Sequence, residues 1–362
     1  MDIELKNEEI KKTKNFDFID TIRCISMIGI VFEHSSVLWG NVYESTGDRL
    51  IQASAIQFFK FATIVFFIIS GFLLNHKFTE YSAIGYLKNR FKNTIGPWLF
   101  WVMVLVLLNL GHMYFMHIKS DDPLIPLPKF IFDQLTNIIF HTSFWFIFNF
   151  LICISILLLF KKYLFNISFG ILLGCVSLFY SLNLYFGWII TEHTTALFGF
   201  VFYLWLGVYI NKYYHIIKGL INRISWFWLI TINVMLFAIC NAEILFLMDR
   251  GSIDSFNTLR VSNILYSIGM FFLLLKVGPI IPLQSALKPR QTTFGIYLIH
   301  QIFVFRLLPE IFNPLGIIVV SKMTVLQAVS YTLARFFIVY VLSFLIVSLI
   351  LRTKGKWIIG AR

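Results

Sequence analysis

Charge is scarce in this chain: only 13% of its 362 residues are Asp, Glu, Lys or Arg, against 58% hydrophobic and 18% aromatic. A soluble domain could not bury that much apolar surface, so the expected class is an all-α polytopic integral membrane protein. Cysteine is scarce too. The four cysteines, Cys24, Cys153, Cys175 and Cys240, lie within apolar runs and show no CxxC spacing, which argues against a metal site and against disulfides. Low-complexity segments, internal repeats and an appended soluble domain are all missing. The longest loop expected outside the cytoplasm, roughly 116–140, is too short to fold alone. The expected organisation is therefore one membrane domain, 17–351, flanked by polar tails at 1–16 and 352–362.

Runs of about twenty apolar residues predict ten spans. They fall near 17–38, 56–75, 94–115, 141–160, 167–187, 194–211, 225–247, 259–276, 292–312 and 325–351. Basic residues then alternate between loops. Lys6, Lys11, Lys12 and Lys14 precede the first run; Lys77, Lys88, Arg90 and Lys92 follow the second; Lys161, Lys162, Lys212, Lys218, Arg223, Lys276, Lys288, Arg290, Arg352, Lys354 and Lys356 continue the pattern. The other loops carry Glu44, Asp48, Asp121, Asp122, Glu192, Asp249 and Asp254. The positive-inside rule puts both termini in the cytoplasm. The net charge of +12 is thus a topology signal and an attraction for acidic lipid, not the footprint of a nucleic-acid binder. No small-residue cleavage site follows the first run, which reads as a retained span.

Within that first run stand Arg23 and His34. Ionisable groups inside a span are costly enough to mark function by default. Eleven residues is nearly a whole number of helical turns, so the two share a face about 16 Å apart along the axis. Snorkelling to headgroups for Arg23, and a structural hydrogen bond for His34, are the plainer alternatives.

Other segments extend the pattern. The first span reads Asp20-Thr21-Ile22-Arg23 and then Glu33-His34; the second ends Phe66-Phe67-Ile68-Ile69-Ser70-Gly71-Phe72. Lys88-Asn89-Arg90 leads into Gly96-Pro97-Trp98, Phe144-Trp145-Phe146 follows, and Thr293-Phe294-Gly295-Ile296-Tyr297-Leu298-Ile299-His300 comes late. In this order and spacing the chain resembles the acyltransferase 3 family of membrane acyltransferases over nearly its full length. Two positions depart from the family pattern: Asn93, beside Lys92, stands at a usually basic site, and Gln301 stands where a proline often follows the late His.

The resemblance implies acyl transfer, most often acetyl, from cytoplasmic acyl-CoA to a hydroxyl of a cell-surface polysaccharide, O-antigen or glycolipid, in a bacterial cytoplasmic membrane. The expected donor is acetyl-CoA with no metal; the expected partners are a glycan or lipid-linked sugar acceptor and the bilayer, with no nucleic acid. His34 suits the base that takes the hydroxyl proton, or a nucleophile that carries the acyl group itself. Arg23, with Lys88 and Arg90, suits the donor phosphates. Asp20, one turn before Arg23, is its expected partner.

Supporting residues carry plainer alternatives. Ser70 reads as close helix packing more than chemistry, because no strained GxSxG turn surrounds it. His300 reads equally as a packed histidine and as a ligand contact. Trp145 reads as an interface anchor before a sugar platform. Glu33 and the pair Glu192-His193 read as interfacial charge and loop polarity. Arg260, Arg306 and Arg335 read as snorkelling side chains, with Arg306 the one suited to an anionic acceptor. Two rival functions remain at this stage: a transporter or flippase moving a glycan, acyl group or anion without bond formation, and a structural subunit of a polysaccharide synthase. The missing duplicated half weakens the first; tolerance of substitution at Arg23 and His34 would mark the second.

Overall fold

A computed structural model describes residues 16–80, 83–120, 123–191, 196–309 and 320–361. The described residues form helices and connections, with no strand among them. In chain order the α-helices are α1 (Asp17–Ser35), α2 (Thr46–Gln57), α3 (Ala62–Glu80), α4 (Ala83–Ser120), α5 (Leu127–His141), α6 (Trp145–Leu159) and α7 (Ile167–Phe186). They continue as α8 (Val201–Lys212), α9 (Tyr214–Arg223), α10 (Trp226–Asp249), α11 (Val261–Val277), α12 (Ile281–Leu287), α13 (Pro289–Ile302) and α14 (Val325–Ile350).

The described parts of the ten expected apolar runs are largely helical. By length and composition, five helical segments qualify as membrane crossings among the described residues: Thr46–Asn75, Ile84–Ser120, Ile167–Phe186, Trp226–Asp249 and Val325–Ile350. Two bent pairs raise the number to as many as seven: α5 with α6, turned by 65°, and α11 with α12, turned by 105°. Such bends leave backbone groups unpaired, which a bilayer tolerates only where protein or a water-filled cavity covers them. The sequence reading missed α2, α5 and α12, because polar residues or short length break their apolar pattern. Buried shares of only 22% in the apolar windows of Ile84–Ser120 and Val325–Ile350 leave most of those surfaces outward, as lipid-facing helices require.

Local chemistry sets the ends. Ser45, Asn166 and Ser225 each accept a backbone N–H at a helix start, and Thr324 with Gln327 forms a capping box on α14. Between α12 and α13, Lys288 adopts a left-handed φ of 46°, and Pro289 opens α13, where its missing N–H costs nothing. This sharp turn swings Arg290 to the first turn of α13.

The tightest crossing joins α3 to α8. A methyl group on Gly71 would sit 1.9 Å from the Leu204 carbonyl oxygen, and one on Gly207 would sit 2.0 Å from that of Ile68. Only glycine lets the two backbones touch at both points. Around this contact Phe67 packs on Phe146 and Phe200, with ring centroids 4.8 and 5.1 Å away. The residues after α14 return as a 3-10 turn, Lys354–Ile359, whose Ile358 carbonyl accepts from Trp101 Nε1 at 2.9 Å. The expected loop residues Asp121, Asp122, Glu192 and His193, and the lysines of the first fifteen residues, lie outside the described residues.

Candidate functional site

Helix α1 is the axis of the site, because its two ends open onto different cavities. At its first turns, Asp20 accepts from Arg23 Nη1 at 3.0 Å through Oδ1 and from Arg290 Nε at 2.6 Å through Oδ2. Arg290 also lies 3.6 Å from Asp17. One carboxylate thus holds two guanidinium groups side by side, against their mutual repulsion. Arg90, on α4, joins them at the same opening, with its Nε donating to Tyr86 Oη at 2.6 Å. The three arginines rim a cavity of about 330 Å³ whose deeper walls include Ile30, Phe66, Phe146 and Tyr297. Asn93 and Ser70 also line it. Pro97, four residues after Asn93, has no N–H to donate back, so the Asn93 carbonyl loses its usual helical partner.

Lys88 is exposed and does not line this cavity, so it stands apart from the arginines with which the sequence grouped it. Arg290 takes that place. In the sequence it read only as one of the basic loop charges. Its signal was the Lys288-Pro289-Arg290 run just before the Thr293–His300 motif.

At the other end of α1, His34 lines a second cavity of about 380 Å³. Among the described residues, none lines both cavities. His34 Nδ1 lies 2.9 Å from His300 Nε2, and His300 Nδ1 lies 3.1 Å from the Ile296 carbonyl oxygen. A carbonyl only accepts, so His300 Nδ1 carries a proton and its Nε2 carries the lone pair. His34 Nδ1 must then donate, which leaves the His34 lone pair on Nε2. Gln301 Nε2 stands farther from the same His300 nitrogen, at 3.4 Å, and donates to Ser143 Oγ. Tyr297 Oη donates to the Ser143 carbonyl oxygen, so this tyrosine walls one cavity while gripping a residue that lines the other.

His300 is fully buried and does not line the second cavity itself; it touches that cavity's wall through His34 and, at longer range, Gln301. Trp145 lines that cavity, with its ring packed 5.3 Å from Phe200. Glu33 is ion-paired within the protein. Its side chain, 11% exposed, meets Lys60 Nζ at 2.6 Å, and Lys60 in turn sits 4.5 Å above the Trp39 ring. Lys60 is the second residue the sequence reading passed over, although a lysine inside the apolar run 56–75 is itself a flag.

Snorkelling fails for Arg260. It is fully buried, donating to the Cys240 carbonyl at 3.1 Å, to the Asn257 carbonyl at 3.2 Å and to Gln57 Oε1, with Glu243 3.8 Å away. Arg306 donates to Asn109 Oδ1, and Arg335 to the Val304 carbonyl at 2.6 Å. Inside a low-dielectric bundle a guanidinium finds protein acceptors more cheaply than it bends to a distant headgroup.

The chain matches the model of a family described as "Acyltransferase domain" over residues 16–352. Searches of curated proteins and of solved structures find no match.

Proposed function

The chain belongs to this family of membrane acyltransferases, and from that premise we propose that it moves an acyl group, acetyl first of all, from cytoplasmic acyl-CoA to a hydroxyl of a cell-surface glycan or lipid-linked sugar. On this reading it crosses a bacterial cytoplasmic membrane about ten times, with both termini in the cytoplasm, as the basic loops require. The observation that carries the proposal is the His34–His300 hydrogen bond, which fixes a lone pair on His34 Nε2 in a cavity separate from the arginine-rimmed one.

Arg23, Arg90 and Arg290 hold the CoA phosphates, because guanidinium stays charged and binds phosphate through paired N–H groups. The pantetheine arm follows α1 for the rise of about 16 Å between Arg23 and His34, parting the rings of Phe66, Phe146 and Tyr297. The acceptor sugar enters from the other side. His34 Nε2 takes the hydroxyl proton as the oxygen attacks the thioester carbonyl, the C–S bond breaks, and the departing sulfur receives the proton. His300 accepts from His34 Nδ1 throughout, orienting the ring and steadying its charge. Gln301 lines this cavity, its amide held by the hydrogen bond to Ser143 Oγ.

The test is transfer of label from radiolabelled acetyl-CoA into glycolipid by membranes carrying wild type, Arg23→Ala or His34→Ala at matched expression. Label incorporated by wild type and lost in both variants is the expected result. Equal labelling by all three would remove the reaction from α1. No labelling by wild type would return the transporter reading.

A further inference from the structure

The cavity at His34 does not end there. It shares Trp39, Ile253 and Asp254 with a groove of about 670 Å³ that runs along the loops after α1 and α10. The groove is larger than the cavity it continues, so it offers more room than the reacting sugar needs. Its walls combine two kinds of group. Trp39, Tyr43 and Phe256 supply aromatic faces, with the Trp39 and Phe256 rings 5.2 Å apart and edge-on. Glu44, Asp249 and Asp254 supply carboxylates.

These rings are held. Trp39 Nε1 donates to the Glu33 carbonyl at 3.0 Å, and Tyr43 Oη accepts from Asn41 Nδ2 at 3.1 Å. Among the described residues the one cation on the groove wall is Arg49, bound to Asp249 at 2.6 Å. The surface therefore presents net negative charge beside stacking platforms. No group of three or more carboxylates, histidines or cysteines gathers closely enough to hold a metal ion among the described residues.

We infer that this groove binds further sugar units of the acceptor, and that the acceptor is a neutral oligosaccharide chain entered at least two units deep. The inference rests on the acyl-transfer reading only for which unit is modified. A pyranose ring has an apolar C–H face that packs on an aromatic ring, and hydroxyls that donate to carboxylates. Anionic sugars and phosphates would meet the like charge of Glu44 and Asp254, with Arg49 already engaged. The reacting unit occupies the His34 cavity, Trp39 stands at the junction, and the neighbouring unit lies against Tyr43 and Phe256.

Binding can be read without any transfer. The full-length protein in lipid nanodiscs, free of CoA, is titrated by saturation-transfer NMR with monosaccharides and tetrasaccharides of glucose, mannose, galactose and N-acetylglucosamine. A tetragalacturonate and tetralysine serve as charged probes. At least one neutral tetrasaccharide should bind about tenfold more tightly than its monosaccharide and more tightly than either charged probe. Tyr43→Ala should erase that gain and Tyr43→Phe, which keeps the ring, should retain it. A groove with no gain for any neutral tetrasaccharide, a gain that survives Tyr43→Ala, or preference for a charged probe would overturn the inference. The labelling experiment decides acyl transfer separately: length-dependent binding without labelling would leave the groove and remove the reaction.

Discussion

His34 and His300 stand 266 positions apart in the chain, yet their ring nitrogens lie 2.9 Å apart, and the Ile296 carbonyl behind His300 fixes the direction of both protons. The proton on His34 Nδ1 therefore points inward to His300, and the His34 lone pair lies on Nε2.

Replacing His34 by Ala should lower the transfer rate by roughly 10²–10⁴-fold, the usual contribution of a general base. His300→Gln should lower kcat while leaving KM for acetyl-CoA unchanged, because His300 meets His34 and does not line the arginine-rimmed cavity. Initial rates at varied donor concentration separate the two. A rise in donor KM for His300→Gln would contradict the assignment.

Arg290→Ala should raise KM for acetyl-CoA by about ten- to a hundredfold, the worth of a lost charge-assisted contact. It should also free Asp20 to pair with Arg23 alone. Lys88→Ala, at an exposed position away from the cavity, should change KM little. Comparing acetyl-CoA with acetyl-dephospho-CoA adds a check: discrimination between them should narrow when Arg290 or Arg90 is removed.

Gly71→Ala should cost about 1–3 kcal/mol or more, since the added carbon would meet the Leu204 backbone at 1.9 Å and the helices must part. Ser70→Ala next to it adds no carbon at a crossing and should be mild. Thermal midpoints by fluorescence in detergent would rank them; a harmless Gly71→Ala would mean the α3–α8 crossing is looser than described.

Much of this arrangement was legible in the sequence, for reasons that differ by residue. Arg23 and His34 announced themselves because charge in an apolar run is rare and the helical period puts them on one face. His300 came from a motif, without any sign of its partner. Lys60 carried the same signal as Arg23 and went unread, because its neighbours Phe58, Phe59 and Phe61 make the run look uniformly apolar. Arg290 was hidden by being ordinary, one basic loop residue among many. Its place beside Asp20 follows a left-handed turn at Lys288 that no hydropathy pattern records. The bends of 65° and 105° were illegible for the same reason: hydropathy measures length along the chain, and a bend conserves it.

The buried pair offers a stability test. Lys60 and Glu33 have side chains 3% and 11% exposed. Removing one partner leaves an uncompensated charge, so Lys60→Met should cost about 3–5 kcal/mol. The double variant Glu33→Gln with Lys60→Met should recover most of that loss, as read from the thermal midpoint. Equal midpoints for the single and double variants would mean that packing on Trp39, not charge, is what Lys60 supplies.

The layer between the two cavities, where Tyr297 grips Ser143, has an electrical consequence. If both cavities fill with water, the membrane voltage falls mainly across this thin apolar partition, where moving one unit charge would involve about 2.3 kcal/mol per 100 mV. On the proposed reading an acyl group goes outward while a hydroxyl proton goes inward, each taking the other's place on its carrier and leaving that carrier's charge unchanged. The exchange carries no net current. The protein can therefore join a donor on one side to an acceptor on the other while the cell's voltage neither drives the reaction nor is drained by it.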